Sequence, residues 1–381
     1  MKRNAVVILS VSLLGLTSCK KESQFTNSEN AGKASINLIS KEETSGQGAV
    51  YFLDNAAGGN HVLAYDRSAS GQLTSKGSFA TGGTGTGAAL GSQGAVILSN
   101  QYLFAANAGS NDISVFRINS EGLTWVDKIA SGGTMPISLT LNNDVLYAVN
   151  AGGTGNIHGF RVSEGHLTSI PGSSQSLSST DAGPAQIQFN NEGTALVVTE
   201  KNTNTIDVFP VNNGVAGART SFPSTGVTPF GFAFGKNDEF FVSDAFGGAT
   251  GLSALTSYSL SNISQLELLS GPVGTTQTSA CWVAVTNDGR FAYTANTGSA
   301  TISGYSISNS GVVTLLNSNG ITGNSGTGPA DMALSNNSRF LYSRSGGSNS
   351  ISIFEVEVSG ALSNIGTITG LPAGAAGLAA K

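Results

Sequence analysis

The residues of this chain that could carry out chemistry recur at the ends of short apolar segments. LFAAN ends at Asn107, LYAVN at Asn150, VVTE at Glu200, FVSD at Asp244 and YTAN at Asn296. Arg344 lies in a looser copy, LYSRS, near the end of the chain. Carboxylates at such positions can transfer protons or activate water, and an arginine can hold an anion. The pattern therefore indicates either a site for acid–base chemistry or a site that binds a polar ligand.

A second set of candidates lies near the beginnings of other apolar segments, PAQIQF, PFGFAF, ACWVAV and PADMAL. Polar groups around an aromatic floor are typical of a small-molecule site. We predict ligand-binding roles, with no catalytic residue assigned, for Gln186, Glu200, Phe230, Asp244, Trp282, Asn296, Asp331 and Arg344. The alternative is that these Asn and Asp side chains hydrogen-bond neighbouring loops and that the charged ones pair structurally.

Other kinds of chemistry have little support. The three histidines, His61, His158 and His166, fit neither a metal pair nor a nucleophile relay. Cys281 stands beside a tryptophan in an apolar segment and is predicted to be buried. Lys201 alternates away from its polar neighbour and is predicted to lie at an interface or in solvent. The carboxylates form no contiguous ligand loop, so we predict no metal and no cofactor.

The elements that must position these residues repeat along the chain. A strand-like pattern with an aromatic residue near its end occurs seven times, at spacings of 44 to 51 residues. Its aromatic residues are Tyr65, Phe116, Phe160, Phe209, Tyr258, Tyr305 and Phe354. This period matches one four-stranded propeller blade and is too long for common helical repeats. The sequence therefore predicts an all-β, seven-bladed β-propeller over residues 49–381.

The order of the predicted strands also predicts how the ring closes. Inner strands are predicted from Gln93, Pro136, Pro184, Pro229, Ala280, Pro329 and Ala373. The last of these follows the final outer strand, whereas the first strand of the chain, Val50 to Asp54, has no inner strand before it. We therefore predict that the C-terminal inner strand joins the N-terminal blade, which leaves no free sheet edge at the seam.

Composition excludes several classes of protein. The chain has 381 residues with 51 Gly, 11% charged residues and a formal net charge of −5. Nucleic acid is an unexpected partner because the basic excess needed for phosphate binding is absent. The Gly-rich stretch 81–91 resembles a phosphate loop, but no predicted helix follows it, so we assign it to turns. We expect a monomer.

The N-terminus has the features of a lipoprotein signal. Lys2 and Arg3 precede an apolar run from Ala5 to Leu16, and Leu16-Thr17-Ser18-Cys19 resembles a bacterial lipobox. We predict a signal peptide over residues 1–18, lipidation of Cys19 and a polar tether over residues 19–48. Since Lys20 replaces the aspartate associated with inner-membrane retention, the expected location is the bacterial cell envelope, anchored by lipid at the outer membrane. An ordinary signal peptide with an incidental cysteine is the alternative.

Several strings resemble one family of propellers. GPAQIQF, VVTEKNTNTIDVFPV, TPFGFAF and ACWVAVT are similar to the lactonase family of seven-bladed propellers, which includes 6-phosphogluconolactonase-like, carboxymuconate cyclase-like and YVTN-repeat proteins. The closest resemblance is to a bacterial lipoprotein branch. Catalytic relatives carry a G-P-H-x-H type motif on a middle inner strand. Here Ala185 and Ile187 occupy the two histidine positions, so no catalytic residue is transferred from the family.

Two functions remain open at this point. In the first, the exported propeller binds a small ligand or an envelope protein at the mouth of its channel. In the second, which the resemblance implies, it is a lactone-ring hydrolase or cycloisomerase. Glu200 or Asp244 would then act as acid or base, and Arg344 would hold an anionic group.

Overall fold

Seven antiparallel β-sheets make up the described part of the chain, residues 47–381, in this computed structural model. The predictions for residues 1–46, including Cys19, the signal peptide and most of the tether, lie outside the described residues. Each sheet is one blade, whose four strand positions we call inner, second, third and outer. Blade 1 contains the first described strand, and blades 2 to 7 follow in chain order. The predicted all-β, seven-bladed propeller is therefore confirmed.

The two innermost strands of each blade surround the channel and position the candidate residues. From blade 1 to blade 7, the inner strands are Ala376–Ala380, Val96–Leu98, Thr134–Asn142, Pro184–Phe189, Pro229–Phe234, Ala280–Val285 and Pro329–Leu334. The second strands are Gly48–Leu53, Tyr102–Asn107, Val145–Gly152, Ala195–Glu200, Glu239–Asp244, Phe291–Asn296 and Phe340–Ser345. All seven inner strands begin within three residues of their predicted starts. The inner strand of blade 2 is the shortest, with three residues.

The two outer positions complete each blade. The third strands are His61–Arg67, Asp112–Asn119, Asn156–Ser163, Thr205–Asn212, Ala254–Asn262, Thr301–Ile307 and Ser350–Val356. The outer position holds Leu73–Ala80, Gly122–Ala130, His166–Ser169 with Gln175–Ser176, Val215–Ala216 with Thr220–Pro223, Gln265–Gly274, Val313–Leu315 with Gly323–Asn324, and Leu362–Thr369. One short 3₁₀ helix, Phe246–Gly248, follows the second strand of blade 5. All seven repeated aromatic residues fall on third strands, as the periodicity predicts.

The hydrophobic core lies between the faces of neighbouring blades. Phe52 of blade 1, for example, is buried with Phe340, Tyr342 and Leu378 between blades 7 and 1. Large side chains on both faces of a strand explain why the second strands read as continuous apolar runs. Burial between the blades is therefore what holds the sheets around the ring.

The ring has two faces that matter for function. Because neighbouring strands are antiparallel, a second strand ends where its inner strand begins, as Glu200 does opposite Pro184. We call this the upper face. The lower face carries the turns between inner and second strands, next to pairs such as Phe189 and Leu196.

Backbone pairing between the two ends of the described chain closes the ring. Val50 pairs with Ala380, and Ala49 exchanges main-chain hydrogen bonds of 3.0 and 2.9 Å with Lys381. Gly377 has φ +69°, and a Cβ there would lie 3.0 Å from the Val96 nitrogen, so glycine is required where this strand bends past blade 2. The predicted C-terminal closure is confirmed, with the strand at Ala376–Ala380.

Deleting residues 376–381 should lower the melting temperature by about 10 °C or more, because it removes buried Leu378 and exposes an edge of blade 1. Differential scanning calorimetry of the full chain and the shortened chain tests this. Lys381→Ala, which keeps the main-chain pairing, is the control and should melt close to the parent. An unchanged melting temperature after the deletion would contradict a closing role for this strand.

Candidate functional site

The polar residues that end the second strands lie on the upper face. Asn107, Asn150, Glu200, Asp244 and Asn296 each pair in register with the first residues of a third strand. In blade 7 the same position is held by Ser345, and Arg344 precedes it by one residue. Arg344 is therefore not the counterpart of Glu200 and Asp244 in the ring.

The Glu200 carboxylate is surrounded by hydrogen-bond donors at the upper end of blade 4. Its carboxylate accepts hydrogen bonds from the Ser178 main-chain nitrogen at 2.9 Å, from the Ser178 hydroxyl, and from the Thr203 hydroxyl at 2.6 Å. Burial together with the neighbouring Glu200 raises the pKa of Asp207, two residues into the third strand, to about 8. These contacts tie Glu200 to blade 4 and to the connection that leads into it.

Asp244 is turned into the interior of blade 5. The Thr256 hydroxyl donates to Asp244 Oδ2 at 2.5 Å, whereas Oδ1 has no partner among the described residues. A Cβ on Gly226 would come within 1.9 Å of the Asp244 carboxyl carbon, so a glycine is needed to admit the side chain. Burial raises the pKa of Asp244 to about 7, and the Thr256 hydrogen bond opposes this.

Two of the three asparagines at the same position follow the pattern of Asp244, whereas Asn150 donates to Ser131 O at 3.3 Å. Asn296 donates to the hydroxyls of Thr301 and Ser303 at 3.1 and 2.8 Å. Asn107 donates to Asp112 at 2.6 Å and to the Ser114 hydroxyl at 2.8 Å. Since the same contacts recur between the second and third strands of different blades, they fix the upper ends of the blades.

Asp331 and Arg344 are cross-strand neighbours in blade 7, and both are buried. Arg344 Nη2 donates to Ala330 O at 2.6 Å, and Asp331 Oδ1 accepts from the Met332 nitrogen at 2.8 Å. Among residues 47–381, Asp331 Oδ2 and Arg344 Nε have no hydrogen-bond partner. Burial raises the pKa of Asp331 to about 7, opposed by the Arg344 charge, and lowers the pKa of Arg344.

These four charged residues are thus held in three different blades rather than in one pocket. The Tyr342 hydroxyl donates to Gly71 O of blade 1 at 2.9 Å, so this face of the strand is turned toward blade 1. Arg344, two residues further along, is on the same face. Glu200 and Asp244 make their contacts within blades 4 and 5. The geometry does not assemble the acid, base and anion clamp that the sequence suggests.

Gln186, Phe230 and Trp282 do lie at the channel. The Gln186 side-chain amide makes two 2.8 Å hydrogen bonds to the main chain of Phe232, which join the inner strands of blades 4 and 5. The rings of Phe230 and Trp282 lie 5.1 Å apart, and Trp282 Nε1 donates to Ser92 O at 3.0 Å. Ser92 belongs to a segment that the sequence did not place here.

The segment of residues 90–94, which leads from blade 1 into blade 2, crosses the channel. Gln93 Nε2 donates to Val283 O at 2.8 Å, and Gln93 Oε1 accepts from the Val283 nitrogen at 3.0 Å. Its own main-chain nitrogen donates to Ala185 O at 3.0 Å. A Cβ on Gly231 would lie 2.2 Å from Gln93 Oε1, so a glycine there admits this crossing. We call residues 90–94 the crossing segment; it shortens the inner strand of blade 2 and closes the channel toward the upper face.

Below the crossing segment the channel contains a cavity of about 410 Å³. Inner strands of six blades contribute to it, and its lining reaches Leu98, Leu141, Gln188 and Ala380, which lie at the lower ends of their strands. Its polar groups come from Gln93, Thr140, Gln186, Gln188 and Asn336, and its apolar surface includes Ile187, Phe232, Met332 and Leu378. No Asp, Glu, His, Lys or Arg side chain is among its described lining residues.

A larger groove, about 530 Å³, lies between blades 6 and 7 on the lower face. Its two arginines already have carboxylate partners, with Arg290 Nε 2.5 Å from Asp288 and Arg339 Nη2 3.1 Å from Glu355. The channel cavity is therefore the better candidate site, because the side-chain nitrogen of Gln188 in its lining makes no hydrogen bond to the described residues.

The remaining candidates for catalysis lie away from this cavity. His61 contacts Asp54 at 2.9 Å, and His158 lies between the hydroxyls of Ser169 and Ser174. Burial raises the pKa of the Cys281 thiol to about 11. In the part of the chain that the structure describes, no group of three or more His, Cys, Asp or Glu side chains could hold a metal ion. Within that same part, no helix has the length and apolar character needed to cross a membrane.

Comparison with known proteins gives one family and a consistent fold. The family model described as "Lactonase, 7-bladed beta-propeller" matches residues 45–176 and 249–374. No curated protein is significantly similar to the chain. A solved protein from Bacteroides fragilis, proposed to be a 6-phosphogluconolactonase, is 17% identical with a TM-score of 0.68, over 88% of this chain and 98% of its own. The periplasmic gluconolactonase PpgL of Pseudomonas aeruginosa is 14% identical with a TM-score of 0.69, over 87% and 98%. At these identities the likeness to the solved structures concerns the fold.

Asp244→Asn should stabilise the protein above pH 7 and have little effect near pH 4. A carboxyl with a folded-state pKa near 7 instead of 3.8 holds a proton that the unfolded chain has lost, so its contribution to stability falls as the pH rises through this window. The cost at pH 8 is at most about 4 kcal/mol, equivalent to several degrees in melting temperature. Thermal melts at pH 4 and pH 8 measure it.

The matched control is Asp66→Asn on the exposed surface of blade 1, which should show no such pH-dependent gain. Equal melting temperatures for Asp244→Asn and the parent at pH 8 would mean that Asp244 is solvated and available, contrary to the contacts described here.

Proposed function

The chain belongs to the lactonase family of seven-bladed β-propellers, and we propose that its channel cavity binds a small, uncharged ligand rich in hydroxyl or amide groups. The observation that carries this proposal is the lining of the cavity. Amides and one hydroxyl are set among apolar side chains, and no described lining residue is ionisable. Such a surface favours neutral polar groups, because an ion would lose its hydration without gaining a counter-charge.

Free hydrogen-bonding capacity supports binding at this place. Gln188 Oε1 accepts a 3.2 Å hydrogen bond from Gln186, which holds the Gln188 side chain, while Gln188 Nε2 makes no hydrogen bond to the described residues. The Asn336 side-chain amide likewise makes none; it is exposed at the lower rim of the cavity and also lines the groove between blades 6 and 7. The volume of about 410 Å³ lies within the usual range for small-ligand sites.

The same lining favours binding over hydrolysis. Opening a lactone needs a general base to activate water and a group to stabilise the developing oxyanion. Glu200 and Asp244, the acid and base of the alternative function, make their contacts inside blades 4 and 5, away from the cavity. We therefore propose a binding protein that has kept the family's ring, in preference to a lactone-ring hydrolase or cycloisomerase.

The proposed location is the cell envelope, with lipid on Cys19. The lipobox-like Leu16-Thr17-Ser18-Cys19 supports it. The first described strand starts at Gly48 on the lower face of the ring. The channel cavity lies toward the same face. A small molecule is favoured over an envelope protein as the ligand because the volume of the cavity, about 410 Å³, suits a small molecule.

D-Glucono-δ-lactone, a neutral polyhydroxylated lactone, is the probe we choose for this cavity. Isothermal titration calorimetry of the purified full chain should show saturable binding, and Gln188→Ala should weaken it about tenfold, the equivalent of one lost hydrogen bond. A pH-stat assay should show no acid release above the spontaneous rate. D-Gluconate, its anionic counterpart, should bind more weakly because the cavity offers no cation.

Gln101→Ala is the matched control, since Gln101 is exposed on a lower-face turn of blade 2, outside the cavity lining. Binding that tolerates both Gln188→Ala and Asn336→Ala would place the ligand elsewhere. Enzymatic release of acid would instead support the lactone-hydrolase alternative.

A further inference from the structure

The groove between blades 6 and 7 meets the channel cavity at one residue. Asn336 lines both spaces. A second groove on the lower face, about 270 Å³ between blades 3 and 4, shares no lining residue with the cavity. Of these two grooves, the one between blades 6 and 7 is therefore the one that adjoins the cavity. We call it the radial groove; its lining comes from residues 286–291, 336–339 and 356–358.

The radial groove leads from the channel toward the rim of the ring. Asn336, at one end, lies in the turn between the inner and second strands of blade 7, beside the channel. Val358, at the other end, lies in the turn between the third and outer strands of the same blade. A ligand that leaves the cavity past Asn336 can therefore continue outward along the surface between the two blades.

Hydrogen bonds between the two blades hold the floor of the radial groove in place. The Asn287 side-chain nitrogen donates to Asn336 O, and the Asn287 main-chain nitrogen donates to the Ser338 hydroxyl oxygen at 2.8 Å. The turns of blades 6 and 7 are thus fixed relative to each other. A preformed surface of this kind loses little conformational freedom when a ligand binds.

Two exposed side chains of the radial groove have donors to spare. Asn337 Oδ1 accepts from the Ser335 hydroxyl at 2.7 Å and from the Arg339 main-chain nitrogen at 3.1 Å, whereas its Nδ2 makes no hydrogen bond to the described residues. Arg339 Nε and Nη2 each lie 3.1 Å from Glu355 Oε1, and Nη1 makes no hydrogen bond to the described residues. Both side chains are held through one group while another faces outward.

The lining of the radial groove carries no net charge. Arg290 and Arg339 are balanced by Asp288 and Glu357. Donors and acceptors therefore lie side by side without a dominant sign, which matches hydroxyl groups, since each of these both donates and accepts. Val358, whose exposed fraction is 84%, adds apolar surface on which the C–H groups of a sugar ring can pack.

We propose that the radial groove binds the further units of a neutral oligosaccharide whose end unit occupies the channel cavity. The inference rests on the proposed function, because the cavity must first accept a neutral polyhydroxylated unit. A unit that is linked to a bound one makes its contacts without a second loss of translational freedom. Affinity should therefore rise from a monosaccharide to the corresponding oligosaccharide.

Isothermal titration calorimetry of the purified full chain tests this with pairs of sugars. Maltotriose and cellotriose are compared with D-glucose, and tri-N-acetylchitotriose with N-acetyl-D-glucosamine. At least one trisaccharide should bind about tenfold or more tightly than its own monosaccharide, the equivalent of one or two added hydrogen bonds. Affinities that do not rise in any of the three pairs would overturn the proposal.

Variants in the radial groove should remove this gain. Asn337→Asp keeps the Oδ1 acceptor that holds the turn and removes the free Nδ2 donor, and Arg339→Ala removes the guanidinium. Each should weaken binding of the trisaccharide about tenfold and change binding of the monosaccharide little. Gln188→Ala, inside the cavity, should weaken both sugars. Trisaccharide binding that tolerates both groove variants would place its further units elsewhere.

The groove between blades 3 and 4 provides matched controls. Asn143→Asp makes the same substitution in the corresponding turn of blade 3, and Arg161→Ala removes an arginine that is also paired with a carboxylate, Asp144 at 3.0 Å. Both should leave trisaccharide binding unchanged. Thermal melts of all the variants establish that the ring is intact in each.

Failure of this inference is distinct from failure of the proposed function. Binding of D-glucono-δ-lactone without any gain from mono- to trisaccharide would refute the extended ligand and leave the cavity site standing. Trisaccharide binding that is lost in Asn337→Asp but tolerates Gln188→Ala, with no binding of the lactone, would refute both the cavity site and a ligand that spans cavity and groove.

Discussion

Main-chain pairing between Gly48–Leu53 and Ala376–Ala380 is the constraint on which the rest of the structure depends. It fixes the number of blades and hence the width of the channel. Because blade 1 takes its inner strand from the C-terminus, every other blade begins with its inner strand, which follows the outer strand of the preceding blade. A connection therefore runs from the rim to the channel between each pair of neighbouring blades. Between blades 1 and 2 that connection is long and rich in glycine, and it brings the Gln93 side chain to Val283 on the inner strand of blade 6.

The polar residues that recur from blade to blade are not the residues that line the channel cavity. Asn107 and Asn296 make nearly the same contacts in different blades, because every blade needs its second and third strands joined at the upper face. A binding site needs positions at which the blades differ. The lining of the channel cavity meets that condition, with amides from blades 4 and 7 and apolar side chains from blades 5 and 1. A residue type that repeats around a propeller is therefore better evidence for structure than for chemistry.

The fold could be predicted from the sequence because local sequence patterns specify its strands and turns. The period, the aromatic residues of the third strands and the polar turns are each readable within a few residues. The direction of Glu200 and Asp244 was not readable, because it depends on loops such as the one at Ser178 and on glycines such as Gly226. Ser178 and Gly226 lie outside the strands that carry Glu200 and Asp244, and they contact these carboxylates only once the blade has folded.

The path of the crossing segment could not be predicted from the sequence either. QGAVIL reads as one apolar strand, yet only Val96–Leu98 pairs in the sheet. The first half leaves the sheet because Gln93 exchanges two hydrogen bonds with the main chain of Val283 and because Gly231 leaves room for it, and both of these residues belong to other blades. The contacts of Lys201, whose Nζ donates to Gly91 O and Pro184 O, were likewise not readable, because strand alternation does not hold beyond the last residue of a strand.

The family model leaves one internal stretch of the chain unmatched, residues 177–248. That intervening stretch carries Gln186, Lys201 and Phe232, so it contributes to the channel cavity and to its closed end. A ring tolerates change at one place because each blade is stabilised chiefly by its two neighbours, and altering the channel side of one blade leaves the interblade burial of the others in place. The closing strand and the interblade core hold the ring together, while blade 4 and the two innermost strands of blade 5 lie in the stretch outside the family match and contribute to the channel lining.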